Sequence, residues 1–109
     1  MNLNTRTEND ITVISISGDV DGKSAPTAQE QILPLLKDGC KVTFDMSGVT
    51  YMSSAGLRML LSMRRQVPAN GKIVLVGLPE QVQDTMSITG FLDFFETADT
   101  LDEAKAALK

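Results

Sequence analysis

Short apolar runs alternate with stretches of helical periodicity along the chain, and this alternation restricts the possible folds more than any other feature. Runs typical of strands lie at residues 3–7, 11–16, 41–46, 72–77 and 91–96. Helical patterns follow the last four of these runs, at residues 24–36, 57–67, 79–90 and 100–108. Strands that alternate with helices in this way predict an α/β fold with a mostly parallel sheet of about five strands.

Turn and cap residues indicate how the first elements begin and end. Asn9-Asp10 is typical of a tight turn, so residues 3–7 are predicted to pair as a short antiparallel edge strand. Ser24 is placed to cap the first helix. Pro34 lies inside the same helical pattern and predicts a kink or an early end, because proline lacks the N–H that a helix interior needs.

The second helical pattern is amphipathic, with one residue at the margin of its apolar side. The apolar side consists of Leu57, Leu60, Leu61, Met63 and Val67. Met59 falls between this side and the polar face that carries Arg58, Ser62 and Arg65. Two interpretations of Met59 are open: a core side chain, or an exposed and adaptable contact for a partner protein.

Composition excludes several classes of function. The chain has 109 residues, of which 42% are hydrophobic, which suits one domain over residues 1–109. It has no apolar run of the roughly 18 residues that a membrane span needs and no signal-peptide pattern, and its lone Cys40 suits the reducing cytoplasm. A net charge of −4 argues against a nucleic-acid-binding surface. With no histidine, the chain has no Ser-His or Cys-His pair, so we expect no catalytic residues and no enzyme activity.

The stretch GDVDGKS at residues 18–24 resembles a phosphate-binding loop but departs from its required spacing. Only three residues separate the two glycines, where the nucleotide-binding motif has four. Asp19 and Asp21 would also direct negative charge at a polyanion. The same stretch lacks the later ligand positions of a calcium loop. We therefore expect no nucleotide, metal or other cofactor here, and interpret the loop as an acidic turn into a helix.

Two adjacent serines, Ser53 and Ser54, stand between the strand of residues 41–46 and the next helix. Serine before a helix is usually a cap. The free N–H groups and the dipole of a helix N-terminus also favour an anion, so a phosphate on serine would be tolerated there. Because neighbouring parallel strands end at one edge of a sheet, Asp21 and this serine pair are expected to lie close together.

Three segments together resemble the anti-sigma factor antagonist family, which consists of stand-alone STAS domains. They are GDVD at residues 18–21, FDMSGVTYMSSAGLRMLL at 44–61 and GKIVLVGLPEQVQDTMSITGFLDFF at 71–95. The resemblance covers nearly the whole chain, in order and with matching spacing. It implies the STAS fold, a mixed sheet with about four helices mainly on one side.

The resemblance also implies a cytoplasmic regulator of transcription that exchanges partners. In the family, the unphosphorylated antagonist binds an anti-sigma factor that is also a serine kinase, and phosphorylation by that kinase separates the two. A metal-dependent serine phosphatase restores the binding form. Carried over to this chain, Ser54 takes the phosphoacceptor position. The resemblance and the position of Met59 together give Asp21, Ser53, Ser54, Gly56 and Met59 as the expected partner-binding residues.

Two positions depart from the family motif. Ser53 stands where the family usually has Asp, which makes Ser53 a rival acceptor, and Ala55 stands where Ser or Thr is frequent. These departures leave one alternative function open. In that alternative the chain is a STAS subunit of a larger assembly, such as a transporter complex, and is never phosphorylated.

Overall fold

The five strands form one sheet in which their spatial order is their order along the chain. The computed structural model describes residues 1–108. The strands are β1 (Asn2–Glu8), β2 (Ile11–Val20), β3 (Lys41–Met52), β4 (Lys72–Val76) and β5 (Glu96–Ala98). β1 is antiparallel to β2, and every later neighbouring pair is parallel. The predicted α/β class, with its mostly parallel sheet and antiparallel edge strand, is therefore confirmed.

Four α-helices within residues 1–108 cover the two faces of the sheet unequally. They are α1 (Ala25–Ile32), α2 (Ser54–Gln66), α3 (Glu80–Thr89) and α4 (Leu101–Leu108). Buried side chains of α1, α2 and α3 share one core cluster with the sheet, whereas those of α4 belong to a second, smaller cluster. The helices thus lie mainly on one side of the sheet, as expected.

The two core clusters follow from the alternation of side chains along the central strands. Ile14, Phe44 and Leu75 are register partners and contribute to the larger cluster. Val13 and Val74 are one residue earlier on their strands and point to the α4 side. This two-sided burial explains why residues 73–76 are apolar throughout.

Proline ends the first helix early, as predicted. α1 stops at Ile32 and is followed by one turn of 3₁₀-helix at Leu33–Leu35, with Pro34 in it. The shorter 3₁₀ turn suits proline, which cannot donate the hydrogen bond that a continuing α-helix requires.

The prediction that residues 91–96 form the last strand is wrong for most of that segment. Phe91–Phe94 is a 3₁₀-helix, and β5 begins only at Glu96. Gly90 ends α3 in the left-handed conformation, with φ of 79°. The chain then turns so that Phe91 and Phe95 pack against the larger core cluster. Packing of the aromatic side chains thus overrides their preference for strands.

Over residues 1–108, none of the helices combines the length and the apolar character that crossing a membrane would require.

Candidate functional site

The paired ends of β2 and β3 bring the Asp21 loop and the two serines to the same edge of the sheet. β3 continues to Met52, six residues beyond the predicted end, and Met52 is the register partner of Val20. The N–H of Ser53 donates to the carbonyl oxygen of Val20 at 2.9 Å. The expectation that the two loops meet is therefore confirmed.

Ser53 is the N-cap of α2, and its polar groups are engaged in starting that helix. Its backbone is extended, with φ of −78° and ψ of 173°, and its Oγ accepts the N–H of Gly56 at 3.3 Å. Its carbonyl oxygen accepts the N–H of Leu57 at 3.0 Å. The side chain is half-buried. Its hydroxyl therefore already satisfies a backbone group that the helix would otherwise leave unpaired.

Ser54 is the first residue of α2 and is exposed. Its hydroxyl has no hydrogen-bond partner among the described residues. The first turn of α2 contains no acidic residue, whereas Arg64 and Arg65 lie in the last turn. The positive end of the helix dipole thus lacks a compensating negative side chain, and an anion on Ser54 would be stabilised there.

Gly56 is buried where α2 passes closest to the end of β2. A Cβ atom at this position would lie 2.7 Å from Cγ of Met52 and 2.9 Å from the carbonyl oxygen of Val20. Both distances are shorter than side-chain contacts allow. Gly56 is therefore the residue that lets the start of α2 dock against the ends of the two strands.

Asp21 organises the loop between β2 and α1. Its Oδ1 accepts the backbone N–H groups of Lys23 at 3.0 Å and Ser24 at 3.1 Å, and it lies 3.3 Å from the Ser24 Oγ. The N–H groups of Ser24 and then Lys23 lower the pKa of the Asp21 carboxyl, so it keeps its negative charge in mildly acidic solution.

The predicted capping role of Ser24 is only partly correct. Ser24 stands at the N-cap position of α1, but its side chain makes no capping hydrogen bond to that helix. Its Oγ instead donates to the carbonyl oxygen of Asp19 at 3.1 Å and accepts the N–H of Asp21 at 3.0 Å. The hydroxyl therefore joins the backbone groups of Asp19 and Asp21, whereas the Asp21 carboxylate is held by the N–H groups of Ser24 and Lys23.

The interpretation of Met59 as an exposed partner contact is wrong. Met59 is only 3% exposed and belongs to the larger core cluster. α1 packs against α2 and covers the margin of the apolar side, which a helical wheel of α2 alone leaves open. Met59 is therefore a core residue.

Asp19 and Arg58 also lie near the site, although neither was predicted to be a partner-binding residue. Asp19 accepts a 2.7 Å hydrogen bond from the hydroxyl of Thr50, which ties the ends of β2 and β3 together a second time. Arg58 is exposed on α2, four residues after Ser54. Because Arg58 is four residues after Ser54, the sequence could have placed the two on one face of the helix. The Thr50–Asp19 contact could not be predicted, because it depends on β3 being longer than expected.

No metal-binding arrangement accompanies these groups. Within residues 1–108, His, Cys, Asp and Glu side chains form no cluster of three or more that could hold an ion. What the site offers is an exposed hydroxyl, a neighbouring carboxylate and the N-terminus of a long helix.

Comparison with known proteins shows which family this chain resembles. The STAS domain family model matches residues 2–104. The anti-sigma-B factor antagonist of Bacillus subtilis is 33% identical over 100 residues, which span 88% of this chain and 91% of that protein. An anti-sigma factor antagonist from Mycobacterium paratuberculosis has a similar crystal structure, with a TM-score of 0.89 at 23% identity, covering 98% of this chain and 92% of that one.

A further solved structure is the phosphorylated form of the Bacillus cell fate determinant SpoIIAA. It matches with a TM-score of 0.74 at 17% identity and covers 99% of this chain and 100% of that one. At this identity the likeness supports the fold alone. Taken with the family model and the Bacillus subtilis relative, the chain belongs to the STAS domain family and, within it, to the anti-sigma factor antagonists.

Proposed function

We propose that this protein is a partner-switching regulator whose switch is phosphorylation of Ser54. In the unphosphorylated form it binds an anti-sigma factor that is also a serine kinase, and phosphorylated Ser54 ends that complex. The observation that carries the proposal is the exposed Ser54 hydroxyl at the first residue of α2. The preceding residue, Ser53, is hydrogen-bonded to Val20, which adjoins Asp21. The name of the Bacillus subtilis relative supports an anti-sigma factor as the partner.

Ser54 is a better acceptor than its rival Ser53 for a physical reason. The Ser53 hydroxyl is half-buried and accepts the N–H of Gly56, so phosphorylating it would disturb the start of α2. The Ser54 hydroxyl can receive the γ-phosphoryl group of ATP without losing a contact. In that transfer the new bond joins Oγ to phosphorus, ADP leaves, and the hydroxyl proton passes to a base on the kinase.

The departure of Ser53 from the usual family Asp is compatible with this function. Aspartate and serine are both good N-caps, because each offers an oxygen to a free N–H of the first turn. Ser53 keeps that role through its contact with Gly56. The substitution removes one negative charge beside the acceptor, and Asp21 still supplies one on the adjacent loop.

The remaining predicted site residues have separate roles in the proposed interface. Asp21 offers a negative charge to the partner, since its carboxylate is held by the turn and stays ionised. Gly56 positions the helix that carries the acceptor. Ser53 and Ser54 form the surface that the partner contacts. Met59 has no part in the interface because it is buried.

One phosphate is enough to end such a complex. A phosphoserine adds about −1.5 to −2 charge at neutral pH. Each tenfold loss of affinity requires about 1.4 kcal/mol. Enclosing an unpaired charge in an interface costs several times that amount. In this scheme a metal-dependent serine phosphatase removes the phosphate and regenerates the binding form. Phosphorylation and dephosphorylation both take place in the cytoplasm. The protein itself acts as a binding module and not as an enzyme.

The proposal is tested by mapping phosphorylation after exposure to the native kinase. Wild type, Ser53→Ala and Ser54→Ala are immobilised separately, incubated with extract of the source organism, washed, and given ATP. Phosphopeptides of each sample are then identified by mass spectrometry. We expect phosphate on the peptide containing Ser54 in wild type and in Ser53→Ala, and none in Ser54→Ala, which should retain the kinase permanently.

Two outcomes would contradict the proposal. Phosphate that persists in Ser54→Ala and disappears in Ser53→Ala would move the switch to Ser53. No phosphate on wild type, with a kinase-free set of retained proteins, would favour the alternative of a constitutive STAS subunit in a larger assembly.

A further inference from the structure

Arg58 is placed one helical turn beyond the proposed phosphoacceptor. It is exposed on α2, and Ser54 is the first residue of the same helix. Residues four positions apart lie on the same face of an α-helix, separated by about 6 Å along its axis. The guanidinium of Arg58 can therefore reach a phosphate on the Ser54 oxygen.

The guanidinium of Arg58 is also available. The ion pairs found within residues 1–108 join Arg6 and Lys105 to Glu8, and Lys72 to Glu96, and none uses Arg58. By contrast, Arg64 on the same helix donates to the carbonyl oxygen of Phe94 at 3.0 Å.

The Arg58 side chain is exposed, and no neighbouring element within residues 1–108 encloses it on the side of α1. Arg58 borders a shallow groove of about 310 Å³ between α1 and α2, which is open to solvent. The residue between Ser54 and Gly56 is Ala55, whose methyl group obstructs neither side chain. The first turn of α2 contains no carboxylate that would compete for the guanidinium. The Asp21 carboxylate on the adjacent loop already accepts the N–H groups of Lys23 and Ser24.

From this placement we propose that Arg58 is the intramolecular counter-ion of phosphate on Ser54. The inference rests on the proposed function, because it assumes that Ser54 is the modified residue. Arginine presents two parallel N–H groups that match two phosphate oxygens. The order also favours the pair, since a negative group four residues before a positive one agrees with the helix dipole.

The pair would distinguish Ser54 from Ser53. Arg58 is five positions after Ser53, which corresponds to about 140° around the helix axis. A phosphate on Ser53 would therefore lie away from Arg58 and would also lose the cap on Gly56. Arg58 thus stabilises one of the two possible phosphorylated forms, and its effect is confined to the phosphorylated state.

The test uses phosphoserine incorporated at position 54 during translation, so that no kinase is needed. The second pKa of the phosphate is measured by ³¹P NMR in wild type, Arg58→Gln and Arg65→Gln. Arg65 is the matched control: an exposed arginine on α2, eleven residues from Ser54 and hence about 16 Å away along the axis. Arg58 favours the doubly charged phosphate, so wild type should titrate about half a pH unit below Arg58→Gln, the scale of an exposed charge pair.

The results separate this inference from the proposed function. Identical titrations of wild type and Arg58→Gln would overturn the pairing, as would an equal shift in Arg65→Gln. If Arg58 does not pair with the phosphate, the kinase can still phosphorylate Ser54, so the proposed function would stand. Conversely, failure of the kinase to label Ser54 would refute the proposed function while the titration still reported on Arg58.

Discussion

Arg58 and Met59 are neighbours in sequence, yet Arg58 is exposed whereas Met59 is buried, with 3% of its surface accessible. Replacing Met59 by Asp would enclose a carboxylate in the larger core cluster without a partner. We expect Met59→Asp to lower the free energy of unfolding by at least about 2 kcal/mol, because an unpaired buried charge is among the most destabilising changes. Urea denaturation followed by circular dichroism measures this loss.

The matched control for that change is Arg58→Asp. It introduces the same carboxylate one residue earlier, in an exposed position near the helix N-terminus, where negative charge is tolerated. It should change stability by less than about 0.5 kcal/mol, the usual range for surface substitutions. Equal effects of the two substitutions would show that Met59 is not in the core.

Gly56 gives a second prediction at the scale of one atom. Gly56→Ala improves intrinsic helix propensity by about 1 kcal/mol. The new methyl group would, however, lie 2.9 Å from the carbonyl oxygen of Val20, which is backbone and cannot move aside easily. We expect the collision to dominate and stability to fall by about 1–2 kcal/mol, which corresponds to a melting temperature lower by about 5–10 °C.

Gly22 is the control for that substitution. A Cβ atom on Gly22 would meet nothing within 4 Å, so Gly22→Ala should leave the melting temperature unchanged or slightly higher. A stabilised Gly56→Ala would mean that α2 does not approach β2 as closely as described.

Asp21 makes the stability of the loop depend on pH. The N–H groups of Ser24 and Lys23 lower the pKa of this carboxyl in the folded state. Its contribution is therefore present above the pKa of an unfolded aspartate and is lost as the pH falls through the lower folded value. In a ¹³C NMR titration, the Asp21 carboxyl should titrate below the ordinary aspartate range.

A variant of the neighbouring serine checks the cause of that shift. Ser24→Ala removes the hydroxyl but keeps the backbone N–H, which is the larger contribution. It should therefore retain most of the shift. Titration of Asp21 in the ordinary range in wild type would mean that the loop does not hold the carboxylate.

At the scale of elements, local sequence signals predicted the helices well. The third helix was predicted to have Pro79 in its first turn and to stop near Gly90. α3 does end with Gly90 as its C-cap, whereas Pro79 lies one position before the first turn, as the N-cap. Asn9 and Asp10 form the expected turn, both with positive φ. These elements depend on chemistry within a few residues, so the sequence alone contained the information.

The errors concern elements whose limits depend on distant contacts. β3 extends to Met52 because the matching end of β2 provides hydrogen-bond partners for it. Residues 91–94 form a 3₁₀-helix that places Phe91 and Leu92, followed by Phe95, against the larger core cluster. The same reason applies to Met59, which α1 covers. The polar and charged members of the candidate site could be predicted from motif spacing, but their surroundings could not.

The start of α2 gives a prediction at this scale. Ser53→Ala removes the oxygen that accepts the Gly56 N–H and should destabilise the protein by about 1 kcal/mol, the typical loss for an N-cap. Ser54→Ala removes an exposed hydroxyl without a partner in the described part of the chain and should cost less than about 0.5 kcal/mol. Urea denaturation of both variants measures the difference. A larger loss in Ser54→Ala would place the cap at Ser54.

At the scale of the whole molecule, the proposed switch lies at the ends of two strands that are anchored in the core. β2 and β3 are the longest strands, and their buried side chains contribute to the larger core cluster. Ser53 donates its N–H to Val20 at the end of β2, and Asp21, the residue after Val20, is hydrogen-bonded within its own loop. A charge added to Ser54 therefore changes the surface more readily than it changes the fold, which favours a switch that acts by local electrostatics.

This leads to a prediction that separates local charge from total charge. Ser54→Asp and Ser87→Asp each add one negative charge to a net charge of −4, but Ser87 is exposed on α3, seven residues beyond Glu80. Glu80, at the start of α3, borders the same surface depression as Met52, which is two residues before Ser54. Ser87 lies about 10 Å from Glu80 along the axis of α3, roughly one screening length at physiological salt. If the switch is local, only Ser54→Asp should weaken binding of the anti-sigma factor.

The size of that effect follows from the charge of the mimic. A carboxylate carries about one charge against nearly two for phosphoserine, so Ser54→Asp should lower affinity by about tenfold, or about 1.4 kcal/mol. Genuine phosphoserine at position 54 should lower it considerably further. Isothermal titration calorimetry with the purified anti-sigma factor measures the affinity of wild type, Ser54→Asp, Ser87→Asp and the form with phosphoserine at position 54. Equal losses in Ser54→Asp and Ser87→Asp would mean that the total charge of the molecule, and not the position of the phosphate, controls the complex.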